Sequence, residues 1–401
     1  MRSGKVDQST ARAMNRWLIL DELRRAGPLS RTRIAERTKL SPASITIVTG
    51  ALLGEGLLVE HPELAPQLPR NPVPLGINYA GHHAIGMKLL DNEIQAVLTD
   101  LALNVVAQAA VGLDSGSPEA VVEAAQRAQG QLTAVQPGIT KLVGIGLGLS
   151  GLIDSERGVC TESHRTGWNN VPLGATLQTR LAVPVWIDND VNAFATAERL
   201  VGRARQATNF VVVTLGRGIG AALVVDGRIY RGPRGAAGEL GHTLSERNGR
   251  RCECGMRGCL EAYASSPNLI AQFNELHPDQ AVSRIEELAD LASHGDDRSR
   301  ALLESAGERL GEGLANLANL FDPDLIIIGG EGVVVGEALL RSLRLAFERR
   351  RLIKTAPVEF LVDTWGDDAW ARGAAGLVVE HFFEGSAAPI EEHSRLIQLQ
   401  Q

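Results

Sequence analysis

Residues 238–261 read GELGHTLSERNGRRCECGMRGCLE and bring three of the four cysteines close to one histidine. A one-His, three-Cys set is the donor chemistry that Zn²⁺ prefers in a tetrahedral site, and here the predicted ligands are His242, Cys252, Cys254 and Cys259. In a reducing compartment such a cluster indicates metal binding before disulfides. Because protein would fill all four positions, the predicted ion is structural; the alternative is three buried free cysteines beside a histidine. Cys160 lies apart and is predicted to be an ordinary buried or half-buried residue.

The chain around this cluster alternates between short apolar runs and longer helical segments. Strand-like runs lie at 83–90, 94–100, 142–149, 183–187, 210–215, 221–225 and 325–328, and helical segments at 117–134, 190–200, 284–292 and 300–320. Strands mixed with long helices indicate α/β layers. A hairpin, a helix and a strand follow one another twice, so the sequence predicts two similar lobes with a cleft between them.

Six segments in this order resemble the ROK family (repressor, open reading frame, kinase), whose members have an actin/hexokinase-like fold. They are GLGLSGLID at 146–154, TGWNNVPL at 166–173, IDNDVNAFATAE at 187–198, GRGIGAALVVDGRIYRGPRGAAGELGH at 216–242, CECGMRGCLE at 252–261 and FDPDLIIIGG at 321–330. The resemblance implies lobe 1 at residues 76–188, completed by a helix at about 369–384, and lobe 2 at residues 189–368 with the zinc-binding loop. Residues 385–401 form a tail without an assignment.

The same resemblance implies a sugar site. Sugar hydroxyls both donate and accept hydrogen bonds, so carboxylates and amides are the side chains suited to bind them. The family positions that contact the sugar correspond here to Ser150, Gly151, Asn189, Asp190, Glu239, His242 and Glu261. His242 would place one ring nitrogen on zinc and the other toward a hydroxyl. Asp190 matches the general base of the kinases; in a sensor it would only bind the hydroxyl.

Two loops decide between a kinase and a sensor. ROK kinases carry roughly Asp-x-Gly-Gly-Thr at the first strand turn, where this chain reads Lys88-Leu89-Leu90-Asp91-Asn92. Lysine replaces the acidic residue, and a leucine side chain stands where the backbone must approach phosphate. The second loop, residues 216–220, keeps its glycines and is called the glycine loop below. Its Arg217 stands where threonine is usual, and this arginine would meet a ligand phosphate or form a surface salt bridge.

Residues 1–75 are predicted to form a winged helix-turn-helix head. A helix at 11–26 ends at Gly27-Pro28, Ser30 and Ser41-Pro42 begin two further helices, and the proline-rich hairpin at 56–76 forms the wing. SPASIT at 41–46 resembles the MarR-like heads of sugar repressors; the alternative is a three-helix module that contacts protein. The predicted DNA contacts are Arg31, Arg33, Arg37, Lys39, Ala43, Ser44, Thr46, Ile47 and, in the wing, Arg70.

The charge is unevenly distributed along the chain. Residues 1–60 hold ten Lys+Arg against six Asp+Glu, although the whole chain has a net charge of −7. A basic head on an acidic body indicates that only the head meets phosphate. We expect a cytoplasmic protein without a membrane partner, since no run reaches the roughly 18 apolar residues of a membrane helix and no secretion signal is present.

These features together predict a DNA-binding transcriptional repressor of sugar-uptake or sugar-catabolism genes, and not an enzyme. Its expected partners are operator DNA and a monosaccharide or sugar-phosphate effector. A homodimer or a dimer of dimers is expected, because paired half-sites need two heads. Two alternatives stay open: an ATP-dependent hexose or aminosugar kinase with Asp190 as general base, and a repressor that another protein sequesters and that binds no sugar.

Overall fold

The computed structural model describes residues 8–65, 72–135, 141–352, 354, 357–363 and 368–385. The elements follow the predicted order of a helical head and two α/β lobes. None of the helices in the described part of the chain combines the length and hydrophobicity that crossing a bilayer requires.

The head contains three helices and a two-stranded wing: α1 (Gln8–Ala26), α2 (Arg31–Thr38), α3 (Pro42–Gly54), β1 (Leu58–Glu60) and β2 (Leu75–Ile77). Ser30 caps α2 by accepting a hydrogen bond from the Arg33 N–H, and Ser41 caps α3 by accepting one from the Ser44 N–H. Both caps satisfy N–H groups that a helix start leaves without a partner. The wing strands pair antiparallel, and residues 66–71, which include Arg70, lie outside the described residues.

Lobe 1 is built on a five-stranded mixed sheet with the order β10-β6-β3-β4-β5, in which β3, β6 and β10 are parallel. A separate three-stranded sheet, β7-β8-β9, was not predicted from the sequence. The elements of this lobe are β3 (His83–Leu89), β4 (Glu93–Asp100), β5 (Val105–Gly112), α4 (Pro118–Val135), β6 (Leu142–Leu149), β7 (Leu152–Asp154), β8 (Val159–Ser163), β9 (Trp168–Val171), α5 (Leu173–Leu181) and β10 (Val185–Asn189).

Lobe 2 repeats this topology. Its sheet has the order β13-β12-β11-β14-β15. If the five strands of each sheet are numbered along the chain, the two sheets have the same strand order, read from opposite edges. The repeat confirms the predicted two-lobed α/β fold. The elements are β11 (Phe210–Leu215), β12 (Ile219–Val225), β13 (Arg228–Tyr230), α7 (Glu261–Ala264), α8 (Ser266–Leu276), α9 (Ile285–Ser293), α10 (Asp297–Phe321), β14 (Leu325–Gly329), α11 (Glu337–Arg350) and β15 (Glu359–Val362).

Two helices, α6 (Asp190–Leu200) and α12 (Ala369–Gly385), pack against each other and against the lobe 1 sheet. Glycines on β3 and β6 make this close packing possible. A Cβ atom on Gly86 would lie 1.8 Å from the Ala371 carbonyl oxygen, and one on Gly146 would lie 1.9 Å from that of Ala374. No side chain fits between the sheet and α12 at these two positions, so the helix backbone rests directly on the strands.

The head and the body share one apolar core. Ile19, Leu23 and Leu75 of the head belong to the same buried cluster as Val379 and Phe383 of α12. Ala197 of α6 is also part of this cluster. The head is therefore packed on the ends of α6 and α12 rather than connected to the body by a linker alone.

Candidate functional site

A cleft of about 520 Å³ lies where the carboxyl ends of the parallel strands of both sheets meet. This is the usual place for ligands in α/β folds, and the volume falls within the range of small-molecule sites. The cleft lining includes every residue that the family resemblance assigned to the sugar: Ser150, Gly151, Asn189, Asp190, Glu239, His242 and Glu261. These residues are distant in sequence, and the fold brings them together.

Asn189 and Asp190 stand at the junction between β10 and α6. The Asn189 side chain accepts a hydrogen bond from the Val191 N–H at 2.9 Å and donates one to the Gly151 carbonyl oxygen at 3.1 Å. It therefore caps α6 and ties the loop after β6 to the start of that helix. The Asp190 carboxylate lies beside this cap, at the first position of α6, and faces the cleft.

Lys88 lies next to Asp190. Its Nζ atom is 3.6 Å from Asp190 Oδ2 and 3.4 Å from the ring centroid of Trp370, the second residue of α12. Burial lowers the pKa of Lys88, while the nearby carboxylates of Asp190 and Glu331 act in the opposite direction. The acidic position of the kinases thus holds a cation that neutralises the neighbouring carboxylate.

The four predicted metal ligands form one cluster. Their donor atoms all lie within 4.8 Å of one another, and the Cys254 and Cys259 sulfurs are 3.7 Å apart. Cys252 Sγ and His242 Nδ1 are also 3.7 Å apart. Ligand bonds of about 2.3 Å around a tetrahedral ion give donor–donor separations of roughly 3.8 Å, so the arrangement suits such an ion. The cluster can bind a metal.

The cluster lies next to two carboxylates of the cleft, Glu239 and Glu261. His242 turns Nδ1 toward Cys252, and its Nε2 lies 3.8 Å from Glu239 Oε2. Glu261 follows the last cysteine and begins α7, and its Oε1 lies 3.8 Å from Cys252 Sγ. Cys160, by contrast, is buried in the core of lobe 1, as expected.

Two carboxylates accept hydrogen bonds from backbone N–H groups of the glycine loop. Glu331 Oε1 accepts a hydrogen bond from the Arg217 N–H at 2.8 Å, and Glu261 Oε2 accepts one from the Ile219 N–H at 2.9 Å. A Cβ atom on Gly216 would lie 2.2 Å from the Glu331 carboxyl carbon. The glycine at this position makes room for the Glu331 side chain, a contact that the sequence did not reveal.

Arg217 joins the two lobes through ion pairs. Its guanidinium lies 3.1 Å from Glu253 in lobe 2 and 3.8 Å from Asp91 in the β3–β4 turn of lobe 1. Asp91 is also paired with Arg165, at 2.6 Å. The sequence predicted either contact with a ligand phosphate or a surface salt bridge for Arg217, and the structure shows salt bridges.

The candidate DNA surface is the outer side of α2 and α3. Ala43, Thr46 and Ile47 are exposed along α3, and Ile47 is 69 % exposed. The arginines of α2 form pairs within the head: Arg33 with Glu36, Arg37 with Glu22, and Arg31 with Glu60. Lys39 is exposed in the turn between the helices, and Ser44 is half-buried.

Comparison with known proteins supports a single family. The sequence model of the ROK family matches residues 84–381. The xylose repressor of Bacillus spizizenii is 30 % identical over 381 residues, covering 94 % of this chain and 98 % of that protein. A ROK family transcriptional regulator, a homologue of the Escherichia coli MLC protein, has a TM-score of 0.85 at 26 % identity and covers 94 % of this chain and 98 % of its own.

A ROK glucokinase from Streptomyces griseus, solved with glucose and AMPPNP, has a TM-score of 0.65 at 28 % identity. It covers 74 % of this chain and 98 % of its own length. Both regulators and kinases of one family thus share the two-lobed body, whereas the regulator matches the chain over nearly its whole length. The chain belongs to the ROK family.

Proposed function

We propose that the chain is a transcriptional repressor of sugar-uptake or sugar-catabolism genes, whose DNA affinity changes when a sugar binds in the cleft. The relatives that match it over nearly its full length are named as a xylose repressor and a transcriptional regulator. The protein acts in the cytoplasm as a homodimer or a dimer of dimers, because an operator with two half-sites requires two heads.

The observation that carries this proposal is that α6 and α12 run from the cleft to the head. Asp190 begins α6 and Trp370 lies at the start of α12, and both line the cleft. The far ends of the same helices contribute Ala197 and Phe383 to the core shared with the head. A ligand that moves the start of either helix therefore acts on the packing of the head. Such coupling requires that the sugar bind one arrangement of lobes and head better than the other.

The cleft is suited to a sugar because its polar groups converge from several directions. Asp190, Glu239 and Glu261 offer acceptors, and His242 offers a ring nitrogen. Zn²⁺ is the ion proposed for the four-ligand cluster, in a structural role: it would keep Glu239 and Glu261 in position without holding a reactive water.

The proposal is tested in two steps with the full-length protein. Thermal denaturation against a panel of monosaccharides and sugar phosphates identifies the effector, since a ligand at 100 times its Kd adds about 2.7 kcal/mol of stability. Binding to an operator selected from random DNA is then measured with and without that ligand. The expected effect is weaker DNA binding with sugar; a ligand that stabilises the protein yet leaves operator affinity unchanged contradicts the repressor mechanism.

A sugar kinase is the second candidate, because a glucokinase of the same family shares the body. In that case Asp190 would accept a proton from the sugar hydroxyl, as a general base does. The Lys88 ammonium beside Asp190 and the occupied glycine loop argue against this role. An ATP-coupled assay distinguishes the two: turnover that disappears in Asp190→Asn supports the kinase.

A further inference from the structure

Glu331 is the first residue of the turn that follows β14, and its carboxylate points into the cleft. Neither the family motifs nor the proposed sugar contacts give it a role. Its side chain lies over Gly216 and accepts a hydrogen bond from the Arg217 N–H. Backbone N–H groups of a glycine-rich turn form a natural anion site, and in this chain the anion is a side chain of the protein itself.

The neighbouring N–H groups of the loop are also occupied. The Ile219 N–H donates to Glu261, and the Gly216 N–H donates to the Gly218 carbonyl oxygen at 3.1 Å. An incoming phosphoryl group would have to displace Glu331 to reach the Arg217 N–H, and it would meet a second carboxylate at Glu261. Both contacts are repulsive to an anion and cost further desolvation.

The cations near the glycine loop do not offset this repulsion of a phosphoryl group. Lys88 is paired with Asp190, Arg217 with Glu253 and Asp91, and Arg165 with Asp91. Each of these positive charges already has a carboxylate partner, so a phosphoryl group finds no unpaired cation among the described residues of the cleft. The charges of this half of the cleft thus favour a neutral ligand.

We propose that Glu331 is a specificity-determining residue that closes the phosphoryl subsite of the cleft. The effector is then an unphosphorylated monosaccharide, and both nucleotides and sugars with a phosphoryl group directed at the glycine loop are excluded. This inference rests on the proposed sugar-binding function for the identity of the ligand, but the closure of the subsite can be tested without any sugar.

The test is isothermal titration of the full-length protein with inorganic phosphate, with AMPPNP and with glucose 6-phosphate. We expect the wild type to bind none of them at millimolar concentration. Glu331→Ala removes the competing carboxylate and is expected to bind phosphate and AMPPNP at least about tenfold more tightly. Glu337→Ala is the matched control, since Glu337 begins α11 outside the cleft lining, and it should behave like the wild type.

Two results overturn the proposal: a wild type that binds phosphate or AMPPNP as tightly as Glu331→Ala, or a Glu331→Ala protein that gains no affinity. Glu331→Gln keeps the shape of the side chain and removes its charge. It replaces the alanine variant if that protein does not fold, with the same expected direction. A wild type that binds neither a monosaccharide nor a sugar phosphate refutes the proposed function, whereas the phosphate titration still decides the role of Glu331.

Discussion

The Nζ atom of Lys88 lies 3.6 Å from Oδ2 of Asp190, and both side chains are largely buried. A buried ion pair leaves an uncompensated charge when one partner is removed, which typically costs about 3–5 kcal/mol. The pair also places a positive charge beside the Asp190 carboxylate, which would have to accept a proton in a kinase. Lys88 thus contributes both to the stability of the cleft and to the electrostatic environment of Asp190.

We therefore expect Lys88→Met to lower the free energy of unfolding by about 3 kcal/mol, because Asp190 is left buried without its partner. Combining it with Asp190→Asn should recover part of this loss, which chemical denaturation of the four proteins in a double-mutant cycle measures. Arg157→Met is the control, since Arg157 forms a 3.8 Å pair with Asp154 but is 77 % exposed. That change should cost less than about 1 kcal/mol; an equal loss in both arginine and lysine variants contradicts the prediction.

Removing the metal should weaken the sugar site as well as the fold. Cys259→Ser eliminates one of the four ligands, so we expect loss of zinc, a lower melting temperature and a sugar affinity reduced by at least about tenfold, because His242 and Glu261 lose their support. Elemental analysis and sugar titration provide the two readouts. Cys160→Ala is the control: it changes a buried cysteine of lobe 1 and should retain the metal. Equal zinc content in both variants would mean that the cluster does not bind the ion.

These cases show which parts of the molecule the sequence could predict. The metal ligands are close in sequence and chemically distinctive, so their spacing was sufficient, and the runs at 142–149 and 210–215 match β6 and β11 in full. Strand β5 was not predicted because alanine and glycine, which are depleted in strands, make up half of its eight residues. Glu331 and Trp370 reach the cleft from distant segments, and no local pattern marks them. Their role depends on how the lobes close, which is decided by tertiary packing.

Contacts to bases and contacts to phosphates should have different effects on DNA binding. Ile47 is exposed on α3 and suited to contact a thymine methyl group, so Ile47→Ala should weaken operator binding by on the order of 1 kcal/mol and leave binding to unrelated DNA nearly unchanged. Lys39→Ala should weaken both and reduce the salt dependence by about one counterion, as expected for a phosphate contact. Fluorescence anisotropy over a salt series measures each effect. Glu119→Ala on α4, away from the head, serves as a control, and equal losses on both DNAs for Ile47→Ala would rule out base recognition.

Glu198, near the end of α6, predicts a pH-dependent stability. Burial raises its pKa to about 7, so the folded protein holds a proton there that the unfolded chain releases near its ordinary pKa of 4.5. The stability that protonated Glu198 contributes is complete at pH values below its unfolded-state pKa, and it is lost as the pH rises through about 7. Glu198→Gln should therefore match the wild type at low pH and exceed it by on the order of 3 kcal/mol at alkaline pH. Denaturation at both pH values tests this, with the exposed Glu119→Gln on α4 as a control that should show no such difference.

Trp370 is the residue through which we expect a ligand in the cleft to act on the head. Its ring covers Lys88 and lies 5.3 Å from that of Phe194, so it connects the Asp190 pair to both α6 and α12. Trp370→Ala removes this contact, and the ratio of operator affinities without and with sugar should fall toward one from the roughly 5- to 150-fold that is typical of allosteric coupling. Trp370→Phe keeps an aromatic face over the ammonium and should retain part of the ratio, while Trp168→Phe in β9 should leave it unchanged. Sugar titration of each variant separates loss of binding from loss of coupling, and an unchanged ratio in a Trp370→Ala protein that still binds sugar would exclude this route.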